Sequence, residues 1–401
     1  MGDNKYFTKM TQEFEYFGSN SNLARSYNER IILKTIQKHR KLNRKHISDY
    51  TKLSTPTVST ITADLIQNKM VQVVGKSHDG GRGQPKINLA LNPAFSASIG
   101  IEITDDILDI YSIDFSGKEK KSLADPIEIT RTNNISLILD KLSTLIKDKE
   151  YFTPSLGYLG LAHNYDEQKH QMPSYVESIL TNILERFGST FLCASHAQCA
   201  AIAEELKKTD QNNNDKNALY IWVGNQLDSA IILNGEVYFG QNGRAGSQLF
   251  LSKSNIDFKI QENKSTQQNY VDPNSLKNLS QQLSKLFNIE NMHDLVENIQ
   301  QEQIDYIEKW VKKTAISIYP TLYATAQMLD LKKIIIGSSL PENFTVLIVK
   351  ELMSIYSKNH INDFSIEFST AFAGPKAPLI GAAYLPIFYK YAPRSGHLLN
   401  G

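Results

Sequence analysis

The apolar pattern of the chain changes character at Asn92-Pro93, and that break forces it into at least two separately built units. Upstream, NERIILKTIQKHRKL places Ile31, Ile32, Leu33, Thr35, Ile36 and Leu42 along one helical stripe. Asn43 offers a cap for a second helix in RKHISDYTKL, with Ile47 and Leu53 facing inward. Ser54 or Thr55 can cap a third helix, and Pro56 fits its first turn, where a missing N–H costs nothing. Val58, Ile61, Leu65 and Ile66 supply its apolar stripe. The strands MVQVV and INLALN then flank GKSHDGGRGQPK, which predicts a hairpin with a glycine-rich basic tip.

Downstream the grammar is alternation. ASIGIEI and ILDIYSIDF precede a helix near 134–149, and SLGYLGLA and TFLCAS alternate with helices near 176–187 and 196–208. ALYIWVG, DSAIILNGEVYFG, a long helical region from Pro273 to Leu329, KKIIIGSS, SIEFST and a closing helix from Pro378 follow. A strand pair followed by strand–helix units, occurring twice, predicts an α/β body of two similar halves. The expected divisions are a flexible or loosely docked arm over 1–23, a head of three helices and a hairpin over 24–92, a first lobe over 93–210 and a second over 211–401 that contains the long helical insertion and the C-terminal helix.

Charge is segregated along the same boundary. The net charge is +1, but residues 24–90 hold 13 Lys/Arg against 4 Asp/Glu, whereas residues 91–401 hold 28 against 35. A basic module on a mildly acidic body is the electrostatic footprint of a phosphate-backbone binder, and three helices followed by a basic hairpin predict a winged helix-turn-helix. Thr55, Thr57, Ser59, Thr60 and Thr62 put short hydroxyls near the start of the third helix, where they can meet phosphates or base edges in a major groove. Arg44 and Lys45 open the second helix, and Lys76, Arg82, Gln84 and Lys86 belong to the wing. Glycines on either side of Arg82 suit a guanidinium entering a minor groove. These eleven residues are the predicted DNA contacts.

Other classes find less support. No apolar run reaches the ~18 residues of a membrane span, and the first residues carry no apolar stretch behind a basic one, so a cytoplasmic protein is expected. Cys193 and Cys199 lack metal-ligand or Cys-x-x-Cys spacing and read as buried thiols. None of the nine histidines forms a ligand pair, and neither a metal nor a cofactor is expected.

GGRGQPKINLALNP, LNGEVYFGQNGRAG, IIIGSSL and APLIGAAYL together resemble the ROK family of repressors, open reading frames and sugar kinases, in its repressor branch. The resemblance runs from about Ser26 onward and implies an α/β fold: a winged helix-turn-helix followed by a two-lobed actin/hexokinase-like body of the ribonuclease-H type. It also exposes losses. Where the family's kinases place a catalytic aspartate, this chain has His196 within Ser195–Ala201. The first phosphate loop carries Asp105 and Asp106, which would repel phosphates, and the second glycine-rich turn has become Gly224–Ser229. The adenosine-side turn keeps only Gly337 before Ser338 and Ser339. The sugar-binding Glu-x-Gly-His corresponds to Ser247-Gln248-Leu249-Phe250, and the zinc loop corresponds to residues 252–272, which contain no Cys or His.

From the family's layout, Asn164, His196, Asn242, Arg244, Ser247 and Gln248 lie nearest the interlobe cleft. They either bind a small polar ligand, an anion suiting Arg244, or line a solvated crevice. The expected function is a sequence-specific DNA-binding regulator, most simply a repressor with an inactive body. It would form a homodimer on an inverted, A·T-rich operator, with pairing into tetramers left open. A sugar kinase with a regulatory head and a regulator whose body answers to a protein partner are the alternatives.

Overall fold

Helix α1 (Ser21–His39) buries Ile32, Leu33 and Ile36 as its stripe requires, but it ends before Leu42. In the computed structural model the described residues are 7–9, 21–77, 86–104, 107–122, 126–129, 135–147, 158–162, 174–187, 190–208, 216–246, 274–287, 299–359 and 365–393. Arg40 stops the helix early: its left-handed backbone (φ 64°) turns the chain into a short strand, β2 (Leu42–Asn43). Leu42 is therefore buried from a strand, not from the helix expected there.

Asn43 starts α2 (Arg44–Thr51) by accepting the His46 N–H at 3.0 Å, and Lys52 (φ 61°) closes it. Ser54 starts α3 (Thr55–Gln67), its hydroxyl accepting the Thr57 N–H at 3.3 Å with Pro56 in the first turn. Strands β3 (Val71–Ser77) and β4 (Lys86–Leu91) are antiparallel and complete a sheet in the order β2-β4-β3. The tip of this hairpin, 78–85, lies outside the described residues. Ile32, Ile36, Ile47, Val58, Ile61, Leu65 and Leu89 form the core of this head.

The body repeats one sheet design. The first lobe has β5 (Ala97–Thr104), β6 (Ile107–Asp114) and β7 (Glu119–Ser122) antiparallel, with β8 (Ile127–Glu128) beside β6. Helix α4 (Ile135–Lys147), β9 (Tyr158–Ala162), α5 (Ser174–Phe187), β10 (Thr190–Ala194) and α6 (His196–Lys207) follow, with β9 and β10 parallel to β5.

The second lobe repeats this with β11 (Ala218–Val223), β12 (Leu227–Leu233) and β13 (Glu236–Tyr238) antiparallel. After α7 (Leu276–Phe287) and α8 (Gln301–Met328), β14 (Lys333–Ser338), α9 (Glu342–Asn359) and β15 (Glu367–Thr370) extend its sheet in parallel, and α10 (Ala377–Tyr391) closes the chain. The order β7-β6-β5-β9-β10 thus matches β13-β12-β11-β14-β15.

The arm expected over 1–23, flexible or loosely docked, has one described stretch. Phe7–Lys9 forms β1, which pairs in parallel with β10 from Phe7↔Phe191 to Lys9↔Cys193. An edge strand presents unpaired N–H and C=O groups, and this short segment satisfies them.

Between the two sheets run α6 and α10, nearly all of whose described side chains are buried. Their approach depends on absent side chains: a Cβ on Gly160 of β9 would lie 1.7 Å from the Ala382 carbonyl oxygen, and one on Gly381 would lie 1.8 Å from that of Cys199. Among the described residues no helix is long and apolar enough to cross a membrane.

Candidate nucleic-acid interface and interlobe cleft

The capped start of α3 faces outward. Thr55, Ser59 and Thr60 are exposed and Thr57 is half-buried, its hydroxyl 2.8 Å from that of Ser54, while the Thr60 hydroxyl donates to the Pro56 carbonyl at 3.1 Å. Lys45 is exposed beside the amino end of α2, and Arg44 is half-buried there. Lys76 is exposed and pairs with Ile87 across the base of the wing, Lys86 is half-buried and pairs with Ser77, and Arg82 and Gln84 lie outside the described residues.

Thr62 departs from its predicted place. It is fully buried, donates to the Ser59 carbonyl at 3.2 Å and accepts the Arg44 Nε–H at 2.8 Å. Four residues after Val58 and three before Leu65, it lies on the buried stripe, so the helical phase already carried the signal.

The head is fastened to both lobes through α1. Arg40 donates to the Ser116 carbonyl in the first-lobe turn at 2.9 Å and to the Leu206 carbonyl near the end of α6 at 3.5 Å. Lys34 reaches the Gly235 carbonyl at 3.3 Å and the Glu236 carboxylate at 3.4 Å in the second-lobe hairpin turn. Arg30 donates to the Ala392 carbonyl at 3.3 Å, and the Tyr384 hydroxyl of α10 donates to Gln37 at 2.8 Å. Between these polar ties lies a cavity of about 60 Å³ bordered by Leu33, Phe115, Ile202, Val237 and Phe388. None of these contacts joins neighbours in sequence, so no local pattern announces them.

His196 sits at the amino end of α6 and is 7% exposed, so it belongs to the cleft wall rather than its surface. Its Nε2 is 3.6 Å from Glu102, which pairs across β5 and β6 with Asp109. Burial, the largest cause, and Asp109 push the Glu102 carboxyl up to about 8, against the opposing pull of Lys376. Burial likewise raises Asp109.

The end of α6 is already occupied by a carboxylate: Asp228, 2% exposed, accepts the Ala197 N–H at 3.0 Å and the Ser229 N–H at 2.8 Å. That arrangement complements the positive end of the helix dipole. Gln198 completes a capping box with Ser195 and donates to the Gly243 and Ala245 carbonyls, at 3.2 and 3.4 Å. It thereby ties α6 to the turn holding exposed Asn242 and half-buried Arg244. Asn164, Ser247, Gln248, Asp105 and Asp106 lie outside the described residues.

Glu102, Asp109, Asp228 and Gln198 were not anticipated as cleft residues. Asp228 shows only as a departure from a glycine-rich turn, and the rest meet through strand register and helix packing. Cys193 is half-buried and Cys199 buried, both as free thiols. Among the described residues no group of three or more His, Cys, Asp or Glu is placed to hold a metal ion.

Comparison with known proteins places this architecture. A sequence profile of the ROK family matches residues 100–387. The xylose repressor of Staphylococcus xylosus is 26% identical over 236 residues, covering 56% of this chain and 60% of its own. The DNA-binding transcriptional dual regulator NagC of Escherichia coli K12 is 23% identical over 236 residues, covering 57% of each chain. The chain thus spans about three fifths of the length of the curated relatives it matches. A solved ROK family transcriptional regulator, described as a homologue of the E. coli MLC protein, superposes with a TM-score of 0.58 at 16% identity, over 94% of this chain and 100% of that one. At that identity the likeness establishes the fold: a two-lobed, actin/hexokinase-like body.

Proposed function

The chain belongs to the ROK family, and from that premise we propose that it is a sequence-specific DNA-binding transcription regulator, a repressor. Its three helices and β2-β4-β3 sheet act as a winged helix-turn-helix, and its body is catalytically inactive. The observation that carries this reading is the outward row of Thr55, Ser59 and Thr60 on the capped first turns of α3, within a segment of 13 Lys/Arg against 4 Asp/Glu. Hydroxyls there meet phosphates and base edges, and the surrounding cations neutralise backbone charge. The repressor and regulator names of the relatives support the same assignment.

The α6 amino end supports the reading of an inactive body. A kinase needs a carboxylate base and room for phosphates, and here a histidine stands at the base position while Asp228 fills the helix end. Glu102 beneath them adds a second carboxyl. The ties of α1 to Ser116 and Leu206 on one side and Gly235 on the other supply the connection by which a change in lobe geometry reaches α3. A homodimer presenting two α3 helices would read an inverted repeat, and Arg82 at each wing would favour A·T-rich flanks.

The decisive experiment is an electrophoretic shift and footprint on the DNA flanking the chain's own gene across a salt series. Binding that weakens as salt rises is expected, and none on any such fragment would overturn the proposal. A coupled assay of ADP release over hexoses and amino sugars should give no turnover above background; turnover would restore the kinase reading.

A further inference from the structure

Arg44 and Thr62 both belong to the predicted DNA-contacting set, yet only one of them can touch DNA. Thr62 is fully buried in the middle of α3, its hydroxyl donating to the Ser59 carbonyl at 3.2 Å and accepting from Arg44 Nε at 2.8 Å. Arg44 is the first residue of α2, a helix whose amino end is capped by buried Asn43 through the His46 N–H. The guanidinium is thus held by one corner at the junction of α2 and α3.

We infer that Thr62 is a positioning residue, and that through it Arg44 presents its two Nη groups to a backbone phosphate of duplex DNA docked at the amino end of α2. The inference rests on the proposed DNA-binding function and assigns one phosphate site within it. Three features converge there. The helix end favours an anion, the guanidinium supplies paired donors of fixed geometry, and exposed Lys45 adds charge alongside. An arginine swinging freely would pay rotamer entropy on binding; one tethered at Nε has paid much of it in the folded head. Valine at position 62 would fill the same volume and bury as well, but it could not hold the Nε–H.

The test is fluorescence anisotropy of the full chain on a labelled mixed-sequence duplex through a salt titration, with thermal unfolding of each variant as a control. Thr62→Val should weaken binding about fivefold near ~0.15 M salt, the ordering cost of one untethered side chain, with the slope of log K against log salt little changed because the Arg44 charge remains. Thr62→Ser keeps the hydroxyl and should match the unsubstituted chain. Arg44→Lys keeps the charge but lacks Nε, so it should reproduce the Thr62→Val loss of affinity without touching the buried position. In an Arg44→Ala background, Thr62→Val should change nothing further.

An unchanged affinity in folded Thr62→Val, an equal affinity loss in the Arg44→Ala background, or wild-type behaviour of Arg44→Lys would each overturn this inference while leaving DNA binding intact. Absence of salt-sensitive binding by the unsubstituted chain would overturn both.

Discussion

Replacing Glu102 with glutamine should stabilise the protein above neutral pH and matter little in acid. Glu102 faces Asp109 across the β5–β6 pair, His196 of α6 at 3.6 Å, and the charge of Lys376 ahead of α10, with the Cys199 thiol also near. Burial raises its carboxyl from an ordinary 4.5 to about 8. Because the folded value lies above the unfolded one, the folded chain holds the extra proton between them, and stability falls as pH rises from about 4.5 to about 8. Below that window the carboxyl is neutral in both states, and above it the penalty is complete.

A gap of about 3.5 pH units at ~1.4 kcal/mol each sets a ceiling of ~5 kcal/mol. The side chain keeps 17% of its surface, and a protonated His196 would offset part of the charge, so a gain of about 2–3 kcal/mol for the glutamine variant is expected at about pH 8. Urea unfolding followed by far-ultraviolet circular dichroism at about pH 5 and about pH 8 measures it. Parallel pH profiles for the two proteins, or a glutamine variant less stable than the parent at the higher pH, would refute the reasoning.

Three further outcomes are expected. Ser54→Ala removes the acceptor for the Thr57 N–H and should cost about 1 kcal/mol, read as a lowered melting temperature. Gly381→Val sets a side chain against the Cys199 carbonyl, where even a Cβ would come within 1.8 Å; with no room for α10 to retreat from α6, it should cost more than ~3 kcal/mol and appear as lost soluble protein. Arg40→Ala drops the bonds to Ser116 and Leu206, and should cost only about 1–2 kcal/mol globally while hastening amide exchange along α1; unchanged exchange there would show that the head does not depend on that tie.

Local chemistry wrote much of this fold into the sequence. Asn43 and Ser54 cap the helices they precede, because a short side-chain oxygen satisfies an orphan N–H wherever it begins a helix. The period change at Asn92-Pro93 marks the head from the body, and the segregation of charge sets a basic head against a mildly acidic body. Thr62 was legible in principle: its place on the Val58–Leu65 stripe outweighs its hydroxyl.

Tertiary structure alone decided the rest, because those contacts join residues far apart in the chain. Phe7–Lys9 becomes a strand only because the edge of β10 is open to it. Glu102 meets His196 only when the first lobe is folded, and Asp228 meets the end of α6 only when the two lobes are assembled. The grip of α1 on Ser116, Leu206, Gly235 and Ala392 depends on side chains reaching carbonyl oxygens whose positions follow from packing, and any residue offers a carbonyl. The sequence determined which segment carries the basic charge; the packing decided how that segment is held to the body.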